Sequence, residues 1–285
     1  MVAIAPLRSI CCAVAIYERI RRKITFEGQD LLVDSPLARA FAILDFVAGQ
    51  GRPVQITEIA VAIGVPPPTA HRLTINLEER GMLQRALGSR KFVLGPAMIS
   101  LAFKTITSVI NDAKPRSILM GLSERISEQV EIAIVRDNHV VFIQTVKPAH
   151  AAGLQIVTGT KAPLHCTSSG KIFLSRLTSA PRERLIRSLP LERYTQTTIT
   201  NADSLLKELT TVRQRGWATN NEEFNSGIVG CAVPILGNKG IFIASLGVSA
   251  PIARVNLDKV ENFVPLLQVA AKEIANEILS STRTS

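Results

Sequence analysis

The segment from Val54 to Leu94 constrains the fold more than any other part of the chain. Gln55 to Ile63 repeats apolar residues at helical spacing and ends at Gly64, which permits the left-handed backbone that closes many helices. A second helix is predicted from Pro67 to Arg80, because prolines suit a first turn whose N–H groups have no acceptor. Two strand-like segments joined by Gly88-Ser89-Arg90 follow. This order is typical of a winged helix-turn-helix.

The outer surface of the second helix and the hairpin carry polar and basic residues. Leu73 and Leu77 stand four residues apart and can face a core, which leaves the polar side chains for another partner: Thr69, His71, Arg72 and Asn76. Residues 80–91 contain three arginines, one lysine and no acidic residue, a composition typical of a hairpin that lies along phosphates. Helix pairs with a glycine turn also occur in all-helical enzymes, but the order of these parts favours DNA binding.

Several segments resemble the IclR family of bacterial transcription regulators. In the first third of the chain these are residues 39–44, 56–60, 69–73, 77–81 and 94–96, which are similar to the family's DNA-binding half. Further along, the sequence KAPLHCTSSGK at 161–171 resembles the family's PLH-C-T-x-x-GK signature, and residues 213–217, 220–223, 227, 231–234 and 249–251 resemble its effector-domain strands. The matches cover about residues 34 to 282 in the family's order, and the chain is identified as a member.

The resemblance implies an α+β protein with three parts after residue 33. These are a winged helix-turn-helix DNA-binding domain at 34–96, a linker helix at 97–114, and a GAF-like or profilin-like effector-binding domain at 115–285 with a central antiparallel sheet. The first helix is expected at 36–48 with Leu37, Ala40, Phe41, Leu44 and Val47 towards the core, and the last at 257–279 with a kink at Pro265. Residues 1–33 fit neither a signal peptide nor the family's core. They are expected to be a flexible extension; the alternatives, ranked lower, are an interfacial helix and an artefact of start-codon choice.

The family resemblance also implies how DNA would be bound. A homodimer or homotetramer would place the helix from Pro67 to Arg80 in successive major grooves of a palindromic operator. The residues expected to contact bases or phosphates are Thr69, His71, Arg72 and Asn76, and those expected to neutralise phosphates are Arg39, Arg90 and Lys91. Pro67-Pro68 stands where the family often has Lys-Ser, so two polar contacts are expected to be missing.

The second domain is expected to bind a small metabolite, commonly a carboxylate in this family. Ser168-Ser169-Gly170 enters a predicted helix, where backbone N–H groups and the helix dipole can hold an anion. The family's pocket also uses the positions of Asn220, Cys231, Gly247 and Ser249. Asn220 stands where Asp is frequent and Gly247 where some members have Ser; an amide in place of an acid favours an anionic effector over a neutral polyol. The alternatives are that the serines only cap the helix and that Cys231 is a small buried hydrophobe.

The rival class is a GAF-like thiol enzyme that uses the adjacent His165 and Cys166. Nucleophilic catalysis requires a base within hydrogen-bond reach and a third group that orients it, and no third residue can be named. The sequence therefore predicts a protein that is not an enzyme and has no cofactor. The cysteines at positions 11, 12, 166 and 231 show no CxxC spacing, which argues against a structural zinc or a disulfide framework.

Composition supports this assignment without deciding it. A length of 285 residues with 46% hydrophobic content suits two domains with ordinary cores, and the net charge of +10 suggests an acidic partner. No apolar run approaches the roughly 20 residues that span a bilayer, so no membrane association is expected. Together with the cysteine pattern, this predicts a cytoplasmic protein.

Overall fold

A computed structural model describes residues 35–148 and 156–280. The expected N-terminal extension at 1–33 lies outside the described residues, as do Cys11 and Cys12. The chain divides into two compact units, with the division between Lys104 and Thr105.

The first unit is a winged helix-turn-helix, as the sequence predicts. Its elements are α1 (Pro36–Gln50), α2 (Ile56–Ile63), α3 (Pro67–Glu79), β1 (Leu83–Arg85) and β2 (Phe92–Leu94). The turn between α2 and α3 contains Gly64 at φ +67°, whose N–H bonds back to α2 carbonyl oxygens, which is the left-handed ending expected of a helix closed by glycine. β1 and β2 pair in antiparallel register, Leu83 opposite Leu94.

The core of the first unit lies between the three helices and the hairpin. Its buried residues are Ile43, Leu44, Val47, Val54, Ile59, Leu73, Leu77, Leu83 and Phe92. The predicted inner face of α1 was partly wrong, because Leu37 and Phe41 are 67% and 60% exposed. Ile43 takes their place, so the inward stripe follows positions 40, 43, 44 and 47, the i, i+3, i+4, i+7 pattern of a packed helix.

The hairpin is followed by α4 (Pro96–Ile110), and α5 (Ala113–Ile126) leads into the sheet of the second unit. The remaining elements are β3 (Gln129–Arg136), β4 (His139–Val146), β5 (Lys161–Pro163), α6 (Ser168–Arg176), α7 (Ser179–Ser188), α8 (Ala202–Arg215), β6 (Ala218–Asn221), β7 (Ile228–Leu236), β8 (Phe242–Pro251), α9 (Leu257–Glu261) and α10 (Val264–Ser280). A 3-10 turn at Asn238–Gly240 joins β7 to β8.

The second unit is built on a six-stranded antiparallel sheet in the order β5-β4-β3-β8-β7-β6, which confirms the predicted α+β class. The β3–β4 hairpin turns through Asp137 and Asn138, both with positive φ, as expected for a two-residue turn of this type. Ala133 of β3 and Ala232 of β7 point towards the apolar residues of α6 and α8. Side chains alternate along a strand, so Cys231 points to the opposite face.

The predicted elements and the structure differ in three places. The last helix is not one kinked helix: α9 ends at Glu261, and Pro265 lies in the first turn of α10, where its missing N–H costs nothing. The apolar sequence from Leu154 to Val157 predicts a strand, but most of it lies outside the described residues, and residues 156–157 are not in a strand. Helix α7 was not predicted. None of the helices in the described parts of the chain is both long and apolar enough to span a bilayer.

Candidate nucleic-acid interface and ligand cavity

Helix α3 presents a polar face away from the core of the first unit. Its buried face consists of Ala70, Leu73, Thr74 and Leu77. Arg72 and Asn76 are exposed and Thr69 is half-buried, and the i, i+3, i+7 spacing of these three residues places them on one stripe. His71 is also exposed, but it lies about 100° round the helix from Arg72. The four predicted contact residues of α3 are therefore accessible, with His71 on the flank of the stripe.

The hairpin is held firmly at its base. Val54 exchanges two backbone hydrogen bonds with Phe92, at 2.9 and 2.7 Å, and the Phe92 side chain is buried. Gly95, which follows β2, packs closely against the backbone of Gly81. A Cβ added at Gly95 would lie 2.1 Å from the carbonyl oxygen of Gly81. This close approach fixes the hairpin relative to the end of α3.

The basic residues of the hairpin differ in their surroundings. Arg85 donates to the carboxylate of Glu78 in α3, at 3.0 and 3.3 Å, and its guanidinium lies 4.9 Å from the Phe92 ring centroid. Arg90 near the tip is exposed, Lys91 is half-buried, and Arg39 is half-buried on α1. The sequence shows that residues 80–91 contain no acidic residue. It does not show that Glu78, just before this segment, pairs with Arg85, because that contact depends on the fold.

The second unit contains a cavity of about 220 Å³ between the sheet and the start of α6. Four of the seven predicted effector residues line it: Ser168, Ser169, Asn220 and Ser249. The other lining residues are Glu131, Phe142, Ile156, Thr160, Thr167, Phe224, Asn225 and Ile228. The cavity therefore combines apolar walls with several hydroxyl and amide groups.

The N-terminus of α6 is arranged to face this cavity. Thr167 caps the helix, because its Oγ1 accepts from the Gly170 N–H at 3.1 Å and donates to the Pro163 carbonyl oxygen at 2.9 Å. Ser168 and Ser169 occupy the first two helical positions, whose N–H groups have no acceptor within a helix. Both serines are buried, so these donors and the positive end of the helix dipole act in a site largely removed from water.

The other three predicted effector residues do not line the cavity. Gly170 has its N–H occupied by Thr167, and an added Cβ would lie 2.2 Å from the carbonyl oxygen of Leu164, so the glycine allows close packing. The Cys231 thiol donates to the carbonyl oxygen of Val260 at 3.3 Å on the face of the sheet opposite the cavity. Gly247 lies opposite Glu131 in the sheet, and a Cβ there would lie 3.2 Å from Oε1 of that glutamate.

Asn220 has a defined orientation. Its Oδ1 accepts from the backbone N–H of Glu223 at 2.9 Å. Because the oxygen is used in this bond, the NH₂ of the same side chain is the group directed elsewhere, as a donor.

Sequence reasoning missed Glu131, the acidic residue of the cavity. Glu131 is 2% exposed, and its Oε1 accepts from the Ser249 hydroxyl at 2.7 Å. Its Oε2 is buried without a hydrogen-bond partner among the described residues. Burial raises the pKa of Glu131 to about 8, against a smaller lowering by the Ser249 hydrogen bond. The available signal was a charged residue in the apolar strand sequence QVEIAIV.

The adjacent His165 and Cys166 have different surroundings. Burial, with a contribution from Glu223, raises the pKa of Cys166 to about 12, so the protonated thiol predominates at neutral pH. The His165 Nε2 lies 2.9 Å from the carbonyl oxygen of Glu192. Across residues 35–148 and 156–280, no cluster of three or more His, Cys, Asp or Glu side chains is arranged to hold a metal ion.

Comparison with known proteins agrees with this arrangement. A family model described as "Bacterial transcriptional regulator IclR C-terminal" matches residues 105–276, and one described as "IclR helix-turn-helix domain" matches residues 36–86. The chain is similar to the probable transcriptional regulator SauR of Cupriavidus necator, with 34% identity over 236 residues that cover 83% of this chain and 94% of that protein.

Two solved structures show similar folds. The IclR protein of Thermotoga maritima has a TM-score of 0.55 and 27% identity, with 85% of this chain and 98% of that chain covered. The inducer-binding domain of the PobR transcription factor from Acinetobacter, a double mutant in complex with 3-hydroxybenzoic acid, has a TM-score of 0.53 and 29% identity, covering 56% of this chain and 94% of that chain.

Proposed function

This chain belongs to the IclR family of DNA-binding bacterial transcription regulators, and we propose that its second unit senses a small carboxylate that alters operator binding. The observation that carries this proposal is the α6 N-terminus, whose buried serines line a cavity together with Asn220 and Ser249. Backbone N–H groups at a helix start, hydroxyls and an amide donor together favour an anionic oxygen group.

The size of the cavity restricts the effector. Its volume of about 220 Å³ lies below the ~300–1,000 Å³ of sites for drug-sized ligands, so we expect a small acid. This expectation is supported by the PobR inducer-binding domain, a double mutant of which was solved in complex with the small acid 3-hydroxybenzoic acid. Phe142 and Phe224 supply apolar surface for the rest of such a molecule.

For DNA binding, we propose that α3 enters the major groove. Thr69, Arg72 and Asn76 would face the base edges, with His71 beside them. Arg39, Arg90 and Lys91 would neutralise phosphates, which fix the position of the protein but carry little sequence information. We assign residues 34–96 to the DNA-binding domain, 97–114 to the linker helix and 115–285 to the effector domain.

We further propose that the protein acts as a homo-oligomer on a palindromic operator. The 15-residue helix α4 is largely apolar, yet Ile110 is its one buried residue among those described. Ile99 and Leu101 are 61% and 53% exposed. Exposed apolar residues on an apolar helix are typical of a surface that packs against a second copy of the chain. A carboxylate would then regulate by binding two quaternary arrangements with unequal affinity.

The effector proposal is tested by calorimetry of the purified protein with benzoate, pyruvate and gluconate and with the corresponding neutral amides. At least one acid is expected to bind, and its amide to bind at least about tenfold more weakly, because the amide lacks the charge that the helix N-terminus favours. Ser169→Asp is expected to abolish binding by charge repulsion while keeping a residue that suits a helix start, and Ser169→Ala to weaken binding only modestly. Equal affinity for acid and amide would refute the assignment of a carboxylate.

A further inference from the structure

Glu131 lines the ligand cavity, and one of its two carboxyl oxygens has no hydrogen-bond partner among the described residues. The side chain lines the cavity from β3 and is 2% exposed. Oε1 is bonded to Ser249, and Oε2 is buried with no partner among the described residues. Buried polar atoms almost always have a hydrogen-bond partner, so an unpartnered carboxyl oxygen beside a cavity points to a group supplied by a ligand.

The groups that face Glu131 are uncharged. Thr145 lies opposite it on β4, Gly247 and Ser249 lie beside it on β8, and Ser168 and Ser169 line the same cavity from α6. Lysine, arginine and histidine are absent from the described lining of the cavity.

The charged residues of the neighbouring elements are directed away or already paired. Lys171 of α6 is bonded to Glu223, and the charged side chains of α5 are all exposed. Cys231 of β7 points to the other face of the sheet, and burial, with a contribution from Glu131, raises the pKa of its thiol. Without a nearby cation, burial favours the neutral form of Glu131 at neutral pH, in agreement with its raised pKa of about 8.

We propose that Glu131 determines specificity by binding the effector as a neutral carboxylic acid, with its Oε2 hydroxyl donating to a carboxylate oxygen of the ligand. This inference rests on the proposed carboxylate effector. Ser249 donates to Oε1 and holds the carboxyl in place, while the N-terminus of α6 stabilises the charge of the ligand. In this arrangement the neutral carboxyl group of Glu131 donates its hydrogen to the carboxylate of the ligand. The ligand therefore meets no second negative charge from Glu131.

Gly247 is part of the same arrangement. It pairs with Glu131 across the β3–β8 ladder, and an added Cβ would lie only 3.2 Å from Oε1. A serine at this position would crowd the carboxyl group, so the absence of a side chain makes room for Glu131. Gly247, which the sequence analysis included among the effector residues, therefore affects the ligand by leaving space for Glu131 and not by direct contact.

This role makes effector affinity depend on pH in a defined direction. Below about pH 7 Glu131 is protonated and can donate, so affinity is constant. Above about pH 8 the ionised carboxylate repels the ligand and can no longer donate, so affinity falls towards tenfold per pH unit. A carboxylate ligand stays ionised throughout this range and contributes no titration of its own.

The test is calorimetry with benzoate, pyruvate and gluconate between pH 6 and 9 on the native protein, Glu131→Gln and the control Glu124→Gln. For the acid that binds, the native protein and the control are expected to lose at least about fivefold in affinity from pH 7 to pH 9. Glu131→Gln keeps a neutral donor and an acceptor for Ser249, so its affinity is expected to match the native value at pH 6 within a few-fold and to stay constant. A pH-independent native affinity, or loss of binding at pH 6 in a folded Glu131→Gln, would overturn the proposal.

A second arm does not depend on any effector. The folded state holds a proton on Glu131 that the unfolded chain releases near its ordinary pKa, so native stability should fall relative to Glu131→Gln as the pH rises from about 5 to about 8. The difference in Tm is expected to widen over that range and then level off. A constant difference would overturn the neutral form of Glu131. If this arm succeeds and no acid binds, the carboxylate effector fails, and with it the ligand contact proposed for Glu131.

Discussion

At the scale of single residues, a buried ion pair holds the loop that follows β6, and this loop contacts Asn220 at the end of that strand. Lys171 is 1% exposed, and its Nζ lies 2.6 Å from Oε1 of Glu223. The Glu223 backbone N–H in turn donates to Asn220. Since breaking a buried pair leaves one charge without compensation, Lys171→Met should lower the free energy of unfolding by about 3–5 kcal/mol. Urea unfolding measures this loss.

The double variant Lys171→Met/Glu223→Leu serves as the control for that prediction. Removing both charges eliminates the uncompensated carboxylate, so the double variant is expected to recover a large part of the lost stability. A single variant as stable as the native protein would show that the pair contributes little to holding the loop.

The residues of the cavity were predictable from sequence only in part. Ser168 and Ser169 begin a segment with a helical pattern, so their place at a helix start follows from local sequence. Cys231 and Glu131 could not be placed in this way, because which face of a strand a side chain occupies depends on the register of the neighbouring strands. That register puts Cys231 against Val260 and leaves Glu131 on the cavity side.

At the scale of secondary-structure elements, the DNA contacts proposed for α3 and for the hairpin are expected to make separable contributions to binding. If Arg72 contacts a base, Arg72→Ala should cost about 1–3 kcal/mol and relax specificity at one position of the operator. Lys91→Ala should weaken binding to all DNA sequences to a similar extent. It should also reduce the magnitude of the slope of log K against log salt concentration by about 1, because it removes one phosphate contact. Fluorescence anisotropy on the DNA upstream of the gene, as a salt titration against scrambled DNA, distinguishes the two effects.

Arg184→Ala is the matched control for these variants, since Arg184 is exposed on α7 in the second unit. It is expected to leave operator affinity unchanged. If Arg72→Ala and Lys91→Ala both behave like this control, the DNA interface lies on another surface of the protein.

Elements with strong local signals were predicted well, and those defined by tertiary packing were not. Helix α8 runs from Ala202 to Arg215 and ends at Gly216 with φ +81°, as its sequence indicates. The inner face of α1 was misjudged at Leu37 and Phe41, since apolar residues on the edge of a stripe are buried only if a neighbouring element covers them. Helix α7 was missed because its one buried residue, Ile186, gives almost no apolar period.

At the scale of the whole molecule, the proposed regulation requires communication between the ligand cavity and operator binding. A ligand shifts an equilibrium only by the difference between its affinities for the two states. Typical couplings between sites correspond to a change of roughly 5–150-fold in affinity. The same factor must appear when DNA changes the affinity for the effector, because the linkage is reciprocal.

Regulation by a carboxylate is tested most directly by operator binding, measured by fluorescence anisotropy with and without a saturating concentration of the acid that calorimetry identifies. We expect a change in operator affinity of at least about fivefold for the native protein. Ser169→Asp should bind DNA with the native affinity and show no response to the acid. Identical binding curves with and without the acid, for a native protein that demonstrably binds that acid, would show that the acid does not regulate operator binding.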